Sequence, residues 1–167
     1  MSREEKILYT IGHSNIAIEE FLKLVREYKI ETLVDVRSSP YSRYASQFNK
    51  ERLMLTLTAN GIRYIFFGDS LGGIPKKKSK VKWWKMPSIS ERRKLFEEGI
   101  QRLIDVLSQY RTAIMCAEED PMKCHRRHKI GAEIYRRGIK VKHIRGTGIL
   151  EGDSFKELVQ GSLSLDN

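Results

Sequence analysis

The sequence predicts an α/β fold built on a mostly parallel central sheet of about five strands. Two observations carry this. Short β-branched apolar runs alternate with amphipathic segments, and no internal repeat breaks the alternation. A third observation sets the scale: 167 residues suit one domain whose apolar core needs neither metal nor disulfide staples.

Taken in order, Ile7 to Ile11 reads as the first strand. Ile18, Phe21, Leu22, Val25 and Tyr28 then recur at helical spacing, which predicts a helix reaching about Glu27. Thr32 to Val36 is the second strand. Asn49 suits a helix N-cap, with Phe48 and Leu53 as the two halves of a hydrophobic staple, and Gly61 ends that helix. Ile62 to Phe67 is the third strand. Ser88 and Glu91 stand at capping-box spacing, and Phe96, Ile100, Leu103, Leu107 and Tyr110 form the buried stripe of the helix they open. Thr112 to Cys116 is the fourth strand, His125 to Arg137 a helix stopped by Gly138, and Val141 to Ile144 the fifth strand before the Gly146-Thr147-Gly148 turn. A short terminal helix is expected near Phe155 to Gln160.

The chain is read as one domain over 1–167, interrupted by a basic loop insertion at about 72–88. Within it, residues 76 to 85 hold six lysines beside paired tryptophans. Lys76, Lys77 and Lys78 could meet phosphates through charge while Trp83 or Trp84 stacks on a base. The alternative is a solvated loop whose tryptophans tuck into the core. With 31 Lys and Arg against 21 Asp and Glu, the formal charge of +10 makes nucleic acid or another anion the natural partner. The 31% charged content with four Asn and four Gln leans towards a thermophilic source. No apolar run approaches the length of a membrane span, so no membrane partner is expected and the protein is read as cytoplasmic. Two cysteines in a reducing compartment are then free, reactive or metal-bound rather than bridged.

In an open parallel sheet, ligands bind beyond the carboxyl ends of the strands. The unusual polar residues cluster there: His13 after the first strand, Asp35 and Arg37 at the second, Asp69 after the third, Cys116 and Glu118 at the fourth. Alternation puts Asp35 and Arg37 on one face, either as acid and anion clamp or as a structural ion pair. The run Cys116 to Arg127 places Cys124 at a helix start, where free N–H groups favour thiolate or bound anion, and Lys123, Arg126 and Arg127 add positive charge. Cys116 could equally be a buried, inert thiol, and a Cys116–Cys124 disulfide is geometrically open. His128 reads as a surface residue and His143 as a structural one. No cofactor is called for. Zinc on Cys116, Cys124, His125 or His128, with His13 as a further donor, is the less favoured reading, because seven residues separate the cysteines where zinc knuckles use two to four.

Thr10-Ile11-Gly12-His13-Ser14, Asp35-Val36-Arg37 followed by Pro40 and Ser42, Leu71-Gly72-Gly73, Cys116-x-Glu118 and Cys124-His125-Arg126 together resemble the DUF488 family, over nearly the whole stretch from Tyr9 to about Arg145. The resemblance implies a single-domain, Rossmann-like three-layer fold and no particular reaction. Its motif positions point to His13, Asp35, Arg37, Cys116, Glu118, Cys124, His125 and Arg126. Asp35-Val36-Arg37 with a later strand-end cysteine also looks faintly like rhodanese, without that family's Cys-x2-Gly-x-Arg loop.

Three functions are expected from these residues. The first is hydrolysis of nucleic acid or a related phosphate-bearing substrate, with Asp35 or Glu118 activating water and Arg37, His125 or Arg126 stabilising the developing anion. The second is sulfur or phosphoryl transfer on a small anion through Cys124 or Cys116, with Arg126 as clamp. The third is a non-catalytic nucleic-acid-binding module.

Overall fold

Six strands form one sheet in the order β3-β2-β4-β1-β5-β6 in the computed structural model, which describes residues 4–73 and 87–157. They are β1 (Ile7–Gly12), β2 (Thr32–Asp35), β3 (Arg63–Phe66), β4 (Thr112–Cys116), β5 (Lys140–Ile144) and β6 (Leu150–Asp153). All neighbours are parallel except β5 and β6, which pair antiparallel around the 146–148 turn. The helices are α1 (Ile18–Glu27), α2 (Lys50–Ala59), α3 (Gly68–Leu71), α4 (Ile89–Gln109) and α5 (Ala132–Arg136).

Burial on both faces explains the near-continuous apolar runs of the central strands. On one face Phe21, Leu22 and Val25 of α1 and Leu53 and Leu57 of α2 pack on Tyr9, Ile11, Leu33, Ala113 and Met115. On the other, Ile100, Leu103 and Leu107 of α4 and Ala132 and Ile134 of α5 cover Leu8, Val34, Ile114 and Val141. The result is the three-layer, Rossmann-like α/β fold that the sequence predicts. No helix among the described residues is long and apolar enough to cross a membrane.

The α4 start is a full capping box: the Glu91 N–H donates to Ser88 Oγ at 3.2 Å and the Ser88 N–H to Glu91 Oε2 at 2.6 Å. Asn49 does precede α2, yet its Oδ1 accepts from the Ser42 N–H at 2.8 Å, so it fixes the preceding loop rather than the helix end. β6 is a sixth strand beyond the five expected. Its Leu-Glu-Gly-Asp sequence holds one apolar residue because it is an exposed antiparallel edge. The helix expected from His125 begins instead as a π-helical stretch, Arg126–Gly131, before continuing as α5. Lys76, Lys77, Lys78, Trp83 and Trp84 lie outside the described residues; of the terminal helix expected near Phe155 to Gln160, residues 156 and 157 are helical and the rest lies outside them.

β4 lies between β2 and β1. The chain leaves β1 and β2 towards the α1 and α2 face, and leaves β4 towards the opposite one, so the three carboxyl ends diverge around one rim. Packing at this rim is tight at Gly12, where a Cβ would fall 1.9 Å from the Glu118 carbonyl oxygen. Gly12→Ala must push the 117–120 loop off β1. The expected cost is about 1–3 kcal/mol, read as a lower urea midpoint at unchanged slope.

Candidate functional site

Two polar clusters stand at the rim, on opposite faces of the sheet. Asp35 has the parity of Leu33 and pairs in register with Met115, so it faces α1 and α2. Cys116 pairs with Gly12 and has the parity of Ile114, so it faces α4 and α5.

The first cluster is closed. Asp35 is fully buried, and its Oδ1 accepts from the Arg37 backbone N–H at 3.1 Å and Nε at 2.9 Å. Its Oδ2 accepts from Arg37 Nη2 at 2.8 Å and the Tyr64 hydroxyl at 2.6 Å. Arg37 Nη2 also donates to the Phe48 carbonyl at 2.8 Å, and Nη1 lies 3.1 Å from His13 Nε2. A guanidinium only donates, so His13 Nε2 accepts and Nδ1 carries the proton that is donated to the Ser14 carbonyl at 2.6 Å. The imidazole is stacked on Phe48 with centroids 4.4 Å apart. Burial pushes the Tyr64 hydroxyl well up, with its bond to Asp35 adding to this.

Burial, aided by the Arg37 charge, holds His13 down from 6.5 to about 4. The unfolded chain therefore takes up this proton first. The stability that neutral His13 confers is present in full above about pH 6.5 and falls as the pH drops towards 4, by at most about 3 kcal/mol. His13→Gln, which keeps an acceptor for Arg37, is expected to flatten that limb relative to the parent in urea unfolding measured across this range.

The second cluster is open in its chemistry. Cys116 ends β4, and its carbonyl accepts the His13 N–H at 2.9 Å, which ties the strand end to β1. Residues 117–125 double back through a single turn at Pro121–Lys123, whose N–H at Met122 is capped by Asp120. This return brings Cys124 and His125 over Cys116. His125 Nδ1 lies 3.8 Å from each sulfur, and the two sulfurs and this nitrogen all fall within 4.8 Å of one another. On its other side His125 Nε2 is 3.1 Å from the Val36 carbonyl. That oxygen can only accept, so Nε2 holds a proton and, in the neutral ring, Nδ1 presents its lone pair to both sulfurs. Cys124 is 3% exposed and Cys116 partly exposed, and neither is in a disulfide. Hydrogen bonding from the side of Cys116, together with the Arg126 N–H, lowers the Cys124 thiol. The same bond and burial push Cys116 up. The two shifts run in opposite directions, so of the pair Cys124 gives up its proton the more readily.

The remaining sequence candidates fall outside both clusters. Glu118 is exposed, and its Oε1 accepts the Asp120 N–H at 3.1 Å within its own loop. Arg126 is fully buried beneath that loop, with Nε on Thr10 Oγ1 at 3.2 Å, Nη1 on the Glu118 carbonyl and Nη2 on the Glu119 carbonyl at 2.8 Å. It holds the loop up and offers no free edge to an anion. Asp69 is exposed in α3, and His128 is exposed. His143 is structural: it bridges Thr10 Oγ1 at 2.6 Å and Asp153 Oδ2 at 2.8 Å.

Sequence reasoning missed the Tyr64 donor, the Val36 carbonyl and the Arg127–Asp153 pair at 2.5 Å that anchors β6. It also missed Glu119, held down to about 2 mainly by Arg145, which donates to both its oxygens at 2.9 Å. Only Tyr64 had a signal, since strand parity puts it beside Asp35.

A family model described as "Domain of unknown function DUF488" matches residues 17–129, which include β2, β4, both cysteines and His125. No curated protein matches the sequence.

Proposed function

The chain belongs to the DUF488 family, and since that description names no reaction, we propose from the geometry that it is a cysteine-dependent transfer enzyme acting on a small anion. The observation that carries this is the placement of His125 Nδ1 at 3.8 Å from both sulfurs, with the ring held by the Val36 carbonyl. A nucleophile beside a positioned base, itself oriented by a third group, is the arrangement that covalent catalysis needs.

In this reading the Cys124 sulfur attacks a sulfur or phosphorus atom of the substrate. A bond forms from Cys124 to that atom as the bond to the leaving group breaks, and the leaving group departs with the electron pair. The proton on Cys116 passes through His125 to it. An acceptor then attacks the same atom, its proton passing back through His125 to Cys116, and the Cys124 sulfur leaves with its electrons. A cleft of about 660 Å³ offers cations to an anion: Arg92, Arg93, Lys129 and Arg136 line it beside Asp69 and Glu133, with neither cysteine nor His125 among its lining residues. Gly73 also lines it, and a Cβ there would stand 3.6 Å from His125 Nδ1.

Hydrolysis of nucleic acid finds less support, since its water-activating candidates are a saturated Asp35 and an exposed Glu118.

The test is adduct trapping by intact-mass spectrometry after exposure to thiosulfate and, separately, acetyl phosphate. Thiosulfate would leave one sulfur on cysteine and release sulfite; acetyl phosphate would leave a phosphoryl group and release acetate. One of the two adducts is expected, located on Cys124 or Cys116. No adduct from either donor, beside turnover of an RNA or DNA oligonucleotide by the doubly Cys→Ser chain, would overturn the reading in favour of hydrolysis.

A further inference from the structure

The triangle that supplies the thiols also has the dimensions of a metal site. We infer that Cys116, Cys124 and His125 bind a zinc ion through three protein ligands, and that an ion seated there withholds both sulfurs from covalent chemistry. The second half rests on the cysteine-dependent reading above; the binding itself does not.

Three features support zinc. Bonds of about 2.3 Å to sulfur and 2.0–2.1 Å to nitrogen in a tetrahedron require edges of about 3.8 Å between sulfurs and about 3.6 Å from sulfur to nitrogen. His125 Nδ1 stands 3.8 Å from each sulfur and the set closes within 4.8 Å, so small side-chain rotations bring all three onto one ion. The Nε2 proton held by the Val36 carbonyl at 3.1 Å fixes the tautomer whose Nδ1 is free to ligate, which is the outer support that ligating histidines use. Two thiolates and an imidazole select zinc over the hard, oxygen-seeking magnesium and calcium ions.

Two thiolates balance the charge of the ion, which suits a cluster with Cys124 buried. Three protein ligands leave the fourth position for water or an incoming anion. The seven-residue separation is no obstacle, because the Pro121–Lys123 turn folds Cys124 back onto the end of β4.

The test uses the full chain, reduced with a phosphine and stripped of metal. It is titrated with zinc chloride against a chromophoric chelator, and with cobalt(II) to read thiolate-to-metal absorption. One ion per chain is expected, with a tetrahedral thiolate spectrum for cobalt and at least about tenfold slower alkylation of both thiols in zinc, reversed by chelator. His125→Gln and each Cys→Ser variant, verified as folded by circular dichroism, should weaken zinc binding by at least about tenfold. Absence of a cobalt thiolate band, or stoichiometric zinc that survives all three substitutions, would overturn the site. Rapid thiol labelling with no zinc binding removes this inference and leaves the transfer reading standing. Zinc binding with thiols that stay inert after stripping keeps the site and removes the transfer reading.

Discussion

Arg37→Met is expected to destabilise the protein by about 3–5 kcal/mol, because it leaves the Asp35 carboxylate buried without its counter-charge. Asp35 is fully buried, and three of its four donors come from Arg37; the backbone N–H survives the substitution, whereas the two charged donors do not. The Phe48 carbonyl and His13 Nε2 lose their partner as well. The companion double variant Asp35→Asn/Arg37→Met keeps an acceptor for Tyr64 and removes both charges. It should recover a large share of the loss, since deleting a buried pair together costs far less than orphaning one member. Urea unfolding of the two singles and the double closes the cycle. The folded Arg37→Met chain should still form the cysteine adduct, because nothing in the first cluster presents a free group to substrate. A single variant that unfolds at the parent midpoint and loses adduct formation would instead place Arg37 in the chemistry.

Cys124→Ser is expected to lower the rate of adduct formation by at least about a hundredfold, since a serine hydroxyl in the same place is a far poorer nucleophile near neutral pH. Cys116→Ser should fall by a similar factor, because in this reading its thiol supplies the proton that follows the leaving group, and a serine hydroxyl releases its proton far less readily. The double variant should be no slower than either single: groups that act as one unit give strongly non-additive losses. His125→Gln separates positioning from nucleophilicity. It retains the sulfurs and is expected to slow transfer by about tenfold or more while leaving the unfolding midpoint close to the parent. Losses that multiply in the double variant would show two independent thiols rather than one centre.

Much of this architecture is legible in the residues. Burial on both faces writes the parallel strands as uninterrupted apolar runs, so β1, β2 and β4 are found to within about a residue at either end. The Ser88 and Glu91 spacing is a local signal and survives intact in α4. β6 escapes because an exposed edge strand has no apolar pattern to display. Convergence of polar residues on one rim follows from parallel topology, yet which face each occupies needs the register. That register assigns Asp35 and Arg37 to a closed ion pair and Cys116 to the other side of the sheet. Arg126 illustrates the limit. Its charge beside Cys124 suggests an anion clamp, whereas the π-helical start turns it inward onto two loop carbonyls. The triangle itself is invisible to spacing rules, because it depends on a turn that returns the chain and on a main-chain carbonyl that orients the ring.

Whether these two sulfurs and one imidazole form a reactive centre is tested most directly by the rate at which iodoacetamide labels the reduced, metal-free chain near neutral pH, resolved by peptide mapping and set against glutathione under the same conditions. Two sulfurs gathered around one positioned imidazole predict that one of Cys116 and Cys124 is labelled at least about tenfold faster than glutathione, and that His125→Gln removes the advantage. Labelling of both at or below the glutathione rate, in a chain verified as folded, would contradict it.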